Sequence, residues 1–249
     1  MKKNNSLTVN IEELMEIEPI TENQKLAFDY WDDEANLVMS GSAGTGKTFI
    51  ALYLALEAML NDPDIYRKII VLRSAVTTRD QGFLPGTKEE KEASYEAPYR
   101  LVCSELFGFE GAYNKMKTAN KIQFETTSFL RGCTFDQAIV VVDEMQNLNF
   151  HELDSVITRI GKDCRLIFCG DHKQTDFKFK DESDGIIKFM QIIEQMRFFR
   201  IINFGWEDIV RSDLVRDYIM TKEMLENAGN STFRPLEIQR GKHDRNIRN

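Results

Sequence analysis

Asn36-Leu37-Val38-Met39-Ser40-Gly41-Ser42-Ala43-Gly44-Thr45-Gly46-Lys47-Thr48 is the stretch that decides the fold. Its first five residues read as a short strand, and the apolar residues on every side from Lys47 to Leu60 read as a buried helix. Between them, Gly41 to Thr48 completes the pattern G-x-x-x-x-G-K-[ST], in the strand-to-helix setting that gives the pattern meaning. A loop wrapped around phosphates must turn successive backbone N–H groups inward, and glycine takes the necessary dihedral angles without a steric penalty. The helix that follows aims its N-terminal dipole and free N–H groups at the same anion. The expected ligand is therefore ATP with Mg2+, cradled by Gly41, Ser42, Ala43, Gly44, Thr45, Gly46, Lys47 and Thr48. Lys47 is expected to reach the β- and γ-phosphates, and the Thr48 hydroxyl to bind the metal.

Outward from this loop, short apolar runs alternate with helical patterns. Strands are expected at 68–72, 122–127, 138–142, 165–169 and 199–204, and helices at 153–160, 185–196 and 209–225. A further helix is expected ahead of the loop, starting at Thr21 or Asn23 as its cap. Ala138-Ile139-Val140-Val141-Val142 is apolar throughout, as a strand covered on both faces must be. The class is α/β, a mostly parallel central sheet with helices on both faces. Residues 1–18 read as a mobile lead-in or short helix, 19–226 as the folded domain and 227–249 as a basic tail.

Composition narrows the function classes. The 249 residues are 42% hydrophobic and 29% charged, with a formal net charge of -8. That balance fits a water-soluble globular protein and argues against a surface coated for nucleic acid. The last 22 residues differ, with Arg234, Arg240, Lys242, Arg245 and Arg248 against Glu237 and Asp244. Such a tail is a candidate for RNA or DNA contact, though short basic tails are commonly just solvated. Cys103, Cys133, Cys164 and Cys169 have neither CxxC spacing nor a histidine at zinc-ligand spacing, and read as packed thiols. No apolar leader follows Met1, and no apolar run approaches the length of a membrane span, so a cytoplasmic protein is expected.

Two later stretches carry chemistry. Val140-Val141-Val142-Asp143-Glu144 ends an apolar strand in two carboxylates. Asp143 is expected to hold magnesium from the strand beside the phosphate loop, and Glu144 to act as general base on the attacking water. Phe168-Cys169-Gly170-Asp171-His172-Lys173-Gln174 runs from a strand into a turn. Asp171 and Gln174 are both candidates to sense the γ-phosphate, with Gln174 preferred because its amide donates and accepts. Arg131, Arg159 and Arg211 are candidate arginine fingers, each also readable as a surface ion-pair residue.

Further pieces are less general: Gly82-Phe83-Leu84-Pro85-Gly86, Ala97-Pro98-Tyr99, Phe129-Leu130-Arg131-Gly132, Asp143-Glu144-Met145-Gln146-Asn147, Thr158-Arg159-Ile160-Gly161 and Asp208-Ile209-Val210-Arg211. Together with the phosphate loop, they make the chain resemble the PhoH-like proteins, a family of phosphate-starvation-inducible ATPases, over roughly residues 19–222. The resemblance implies a single RecA-like P-loop domain related to superfamily 1 helicases. It implies that Gln24 reads the adenine edge and that the segment from Arg73-Ser74 to residue 86 touches nucleic acid. Two departures stand out: Met145 replaces the usual alanine behind the carboxylates, and Ser212 replaces the usual histidine or proline after Arg211.

Two functions from different classes compete. One is a motor or remodelling ATPase acting on RNA or single-stranded DNA. With one RecA-like domain, its site needs closing by a neighbour; the resemblance implies a ring, a hexamer, in which Arg131, Arg159 or Arg211 meets the next protomer's γ-phosphate. The other is an ATP-dependent binding switch acting on a protein partner. The Thr78–Gly111 stretch serves either. Lys88, Lys91 and Arg100 interleaved with Phe83, Tyr95 and Tyr99 can follow a single strand, or the aromatics can pack into the core. A small-molecule kinase shares the phosphate loop but does not call for the DEMQN and GDHKQ pieces.

Overall fold

A computed structural model describes residues 9–74, 88–127, 134–171 and 180–227, and within these not the side chains of 88–93 and 180–184. Helix α1 is Glu22–Asp32, strand β1 Asn36–Gly41, α2 Lys47–Asn61, β2 Lys68–Arg73, α3 Lys88–Phe107, α4 Ala112–Thr118 and β3 Ile122–Thr126. Then come β4 Ala138–Val142, α5 Phe150–Ile157, β5 Arg165–Gly170, α6 Lys180–Glu194, β6 Phe199–Phe204 and α7 Asp213–Asn227. The six strands form one sheet in the order β3-β2-β4-β5-β1-β6, with every pairing parallel.

The period of two along each strand divides the core. Leu37, Met39, Ile69, Val71, Ile139, Val141, Ile167 and Cys169 face α1, α2, α3 and α4. Val38, Ile70, Leu72, Val140, Val142, Leu166 and Phe168 face α5 and α6. All five residues of β4 are inaccessible to solvent, as its unbroken apolar run requires. Helix α2 buries Ile50 through Leu56 without interruption, because it lies under the sheet and packs α3 on its other side.

One expectation about the sheet is corrected. The strand beside the phosphate-loop strand β1 is β5, and β4, which carries Asp143, lies one strand further out. This order sets the end of β5, with Asp171, between the phosphate loop and the carboxylates.

Element ends also move. Thr21, rather than Asn23, caps α1, accepting from the Gln24 amide at 3.3 Å. Helix α5 starts at Phe150 because Asn149 and Glu152 form a reciprocal capping box. The lead-in is docked from Val9 onward. Val9 is buried, Ile11–Glu13 make a 3-10 turn, and the Met15 amide donates to Leu106 O of α3 at 2.7 Å.

Helix α3 places part of the Thr78–Gly111 stretch, while Phe83 and the side chains of Lys88 and Lys91 lie outside the described residues. Tyr99 is fully buried with its ring against Phe124, and Arg100 is held by the buried Glu96. Tyr99 is therefore not available to stack on a nucleic-acid strand. The tail from 228 onward also lies outside the described residues. The chain from Ser212 onward groups separately from the rest, and its described residues hold α7, which carries a Lys222–Glu226 ion pair. Among the described residues no helix is long and apolar enough to cross a membrane. Cys103, Cys164 and Cys169 are free thiols, and burial pushes Cys103 up to about 12. Cys133 lies outside the described residues.

Candidate nucleotide site

The phosphate loop joins β1 to α2, and its shape depends on close backbone approach. At Gly41, φ is +134°, and a Cβ there would lie 2.0 Å from Phe204 O of β6. Gly44 and Gly46 adopt φ of +76° and +83°, which turns the loop around its hollow. Thr45 is fully buried and closes the loop from inside by donating to Ser42 O at 3.0 Å. Lys47 Nζ donates to Gly41 O at 2.8 Å, Ser42 O at 2.7 Å and Thr45 Oγ1 at 3.2 Å. Burial lowers the Lys47 pKa, opposed by Cys169, Asp171, Glu144 and Asp143 nearby. An anionic phosphate would oppose it further.

Thr48 and Asp143 meet as the metal reading requires. Thr48 Oγ1 donates to Asp143 Oδ1 at 2.8 Å, and Asp143 is buried. Two hard oxygens on one point suit magnesium, which binds one or two protein oxygens and fills its octahedron from phosphates and water. The donor set therefore fits the ion. Asp143 Oδ2 is taken by the Tyr99 hydroxyl at 2.9 Å.

Glu144 sits at φ +53°, a left-handed conformation that costs a non-glycine residue about 1–3 kcal/mol and is met at functional sites. Its side chain lines the cleft. Gln146 Nε2 donates to Glu144 Oε2, while Gln146 Oε1 accepts from the Asp171 amide at 3.0 Å. One glutamine thus ties the expected base to the end of β5. Gly170 makes this possible, since a Cβ there would lie 2.2 Å from Gln146 Oε1.

These groups line a cleft of about 740 Å³, a size suited to a nucleotide. Its wall also includes Ile17, Pro19, Ile20 and Phe28. Gln24 is buried there. Its Oε1 accepts from the Ile20 amide at 2.8 Å and its Nε2 donates to Thr45 O at 3.2 Å.

Residues 16–223 match the family profile described as PhoH-like protein. The chain belongs to the PhoH-like family. Protein PhoH of Escherichia coli strain K12 is 32% identical over 176 residues, 70% of this chain and 49% of that protein. The PhoH-like protein of Mycobacterium bovis is 30% identical over 235 residues, 92% of this chain and 64% of that protein. The chain thus spans between 49% and 64% of these relatives' lengths. Among solved structures, the large terminase of a thermophilic bacteriophage aligns at TM-score 0.47 and 11% identity, over 87% of this chain and 52% of that one. The Pyrococcus furiosus Hef helicase domain aligns at TM-score 0.44 and 14% identity, over 75% of this chain and 39% of that one.

In this PhoH-like chain the expected site residues fall into three groups. Gln24, the loop from Gly41 to Thr48, Asp143, Glu144 and Asp171 are brought together, and Arg211 lines the same cleft. Arg159 is not brought there. Its carbonyl accepts from the Phe135 amide ahead of β4, at the opposite end of the strand from Asp143. At about 3.3 Å per residue, that is on the order of 20 Å away. Gln174 and Arg131 lie outside the described residues.

Three residues of the site were not read from the sequence in these roles: Tyr99, Gln146 and Arg73. Arg73 opens the segment expected to touch nucleic acid, whose residues 75–86 lie outside the described residues; Arg73 itself lines the cleft. Burial alone would lower its pKa, but Tyr99, Asp143 and Glu144 outweigh that and raise it. A hint was available in the sequence, since Arg73 ends an otherwise apolar strand, where a charged side chain must find a partner.

Proposed function

We propose that the chain is a cytoplasmic, magnesium-dependent ATPase whose hydrolysis is coupled to binding or remodelling RNA or single-stranded DNA. The observation that carries the proposal is the convergence of Thr48 and Asp143 on one point beside Lys47, with Glu144 turned into the same cleft. Thr48 and Asp143 would hold magnesium, which would supply charge neutralisation to the phosphates. Lys47 exchanges its loop carbonyls for phosphate oxygens. Glu144 orients the attacking water and accepts its proton, held in place by Gln146. Gln24, walled by Ile20 and Phe28, meets the adenine edge with its remaining N–H and lone pair. Arg211 offers its guanidinium to its own cleft, whereas Arg159 can reach a triphosphate only on a neighbouring copy, as in a hexameric ring.

The second reading, an ATP-dependent switch on a protein partner, is favoured by one observation: Tyr99 and Arg100 are committed to the interior and to Glu96. Steady-state ATP hydrolysis with magnesium, with and without single-stranded RNA and beside Glu144→Gln, tests both. Turnover lost in Glu144→Gln and raised by RNA supports the nucleic-acid ATPase. Turnover lost in the variant but indifferent to RNA and single-stranded DNA supports the switch. Undiminished turnover in Glu144→Gln overturns the assignment of the base.

A further inference from the structure

Asp143 is held at both oxygens, and only one of the two holds belongs to the phosphate-loop motif. Thr48 takes Oδ1, and Tyr99 donates to Oδ2 at 2.9 Å from α3, in the stretch between β2 and β3. The phenol has little freedom. Tyr99 is fully buried and its ring lies 5.9 Å from Phe124 of β3, tilted by 33°. Behind it stands Arg73 at the end of β2, the strand paired with β4 so that Leu72 lies opposite Val142. Arg73 stands close enough to Tyr99 and Asp143 for its charge to act on both. The Tyr99 hydroxyl gives its proton to Asp143 Oδ2, and a guanidinium, which can only donate, does not compete for that proton.

From these contacts we infer that Tyr99 is a positioning residue for the metal, with the charge of Arg73 behind it. The inference rests on the magnesium–ATP reading above. A carboxylate hydrogen-bonded at Oδ2 is restrained about its Cβ–Cγ bond and presents Oδ1 at the point shared with Thr48. Without Tyr99 only the Thr48 hydroxyl, itself a ligand in the magnesium reading, restrains the carboxylate, and more of its ordering must be supplied when the metal binds. Partners behind a metal ligand generally change metal affinity by 10–100-fold when removed. Packing alone would be served as well by phenylalanine, and the hydroxyl is what distinguishes the two.

The test uses Mn2+ in place of magnesium, with ADP and the full chain. Electron paramagnetic resonance of free Mn2+ reports metal uptake by the protein–ADP complex. A fluorescent ADP derivative in EDTA reports nucleotide affinity without metal. Tyr99→Phe is expected to weaken Mn2+ uptake by about 10–100-fold while leaving ADP affinity in EDTA unchanged. Arg73→Met is expected to move Mn2+ uptake in the same direction by less, and it carries the test if Tyr99→Phe does not unfold cooperatively. Unchanged Mn2+ affinity in the folded variant, beside a wild-type chain that binds Mn2+, overturns the inference alone. A parallel loss of ADP affinity in EDTA also overturns it, because Tyr99 then only packs the cleft. A wild-type chain that binds ADP but takes up no Mn2+ overturns the magnesium reading beneath it as well.

Discussion

The Val210 amide donates to Gly44 O at 3.0 Å, so the chain leaving β6 is fastened directly onto the phosphate loop. The fastening is prepared two residues earlier. Asp208 is buried, and its Oδ2 accepts from Asn23 Nδ2 at 2.7 Å and from the Gly205 amide at 2.9 Å. One carboxylate therefore sets α1, which carries Gln24, against the turn that carries Val210 and Arg211. Hydrogen bonds to a charged group contribute about 1.5–3 kcal/mol, so Asp208→Ala is expected to cost about 3 kcal/mol of stability. It should also weaken ADP binding. Urea unfolding beside an ADP titration checks both, and a variant as stable as wild type would show that the turn holds itself.

Gly170 and Gln146 make a second prediction, this time about rate. In Gly170→Ala the new Cβ falls 2.2 Å from Gln146 Oε1 and 2.8 Å from Met145 Cγ. The carboxamide must leave Glu144 or the Asp171 amide. Losing one orienting hydrogen bond of about 1.5–3 kcal/mol corresponds to roughly 10–100-fold in rate. Both Gly170→Ala and Gln146→Ala are therefore expected to lower kcat by that factor with KM for ATP little changed. An equal rise in KM would mean that Gln146 supports binding instead.

What was legible in the sequence was local. Gly41 to Thr48 carries its own geometry, and Ala138 to Val142 announces burial by being apolar without a break. What was not legible depends on which strands are neighbours. Chain order does not reveal that β5 lies between β1 and β4, so Asp143 was expected one strand too close to the loop. For the same reason Tyr99, 44 residues before Asp143, gave no sign of touching it. The helix expected from Ile209 begins only at Asp213, because Ile209 is extended where the chain leaves the 3-10 turn Trp206–Asp208. The place of Arg73 in the cleft was not legible either, because Tyr99 and the two carboxylates come near it only when β2 and β4 pair.

Buried acids of high pKa set the alkaline limit of the fold. Burial pushes Cys103 from 9.0 to about 12, and burial with a hydrogen bond to Glu57 pushes Tyr53 from 10.0 to about 12. Burial raises Tyr66, Tyr99, Tyr113, Cys164 and Cys169 in the same sense. Between the unfolded and folded pKa values the folded chain binds more protons, so stability falls as pH rises. The contribution is complete below about pH 9 and is lost as pH climbs towards about 12. Lys47 runs the other way, its lowered pKa favouring the folded state as pH approaches 10.5, but it is one group against several. The urea midpoint is expected to drop steadily above about pH 9, and less steeply in Tyr53→Phe. A midpoint flat to about pH 11 would contradict the burial of these groups.

The last prediction concerns which protomer supplies the arginine. Arg211 lines the cleft of its own chain, one residue after the Val210 amide that grips Gly44. Removing a finger arginine costs about 10³–10⁵-fold in rate, so Arg211→Ala is expected to fall by at least the lower figure. Whether the residue acts within its own chain is separable by mixing. Take Arg211→Ala protomers, which keep Glu144, and Glu144→Gln protomers, which keep Arg211. If Arg211 served the next protomer's site, mixed assemblies would contain sites with both groups intact, and turnover would reappear. Action within one chain leaves every site in the mixture lacking one group, and turnover stays at the level of the separate variants. The geometry predicts the second outcome for Arg211. For Arg159→Ala mixed with Glu144→Gln the prediction is opposite: Arg159 is on the order of 20 Å from its own carboxylates, so any contribution it makes must be recovered on mixing.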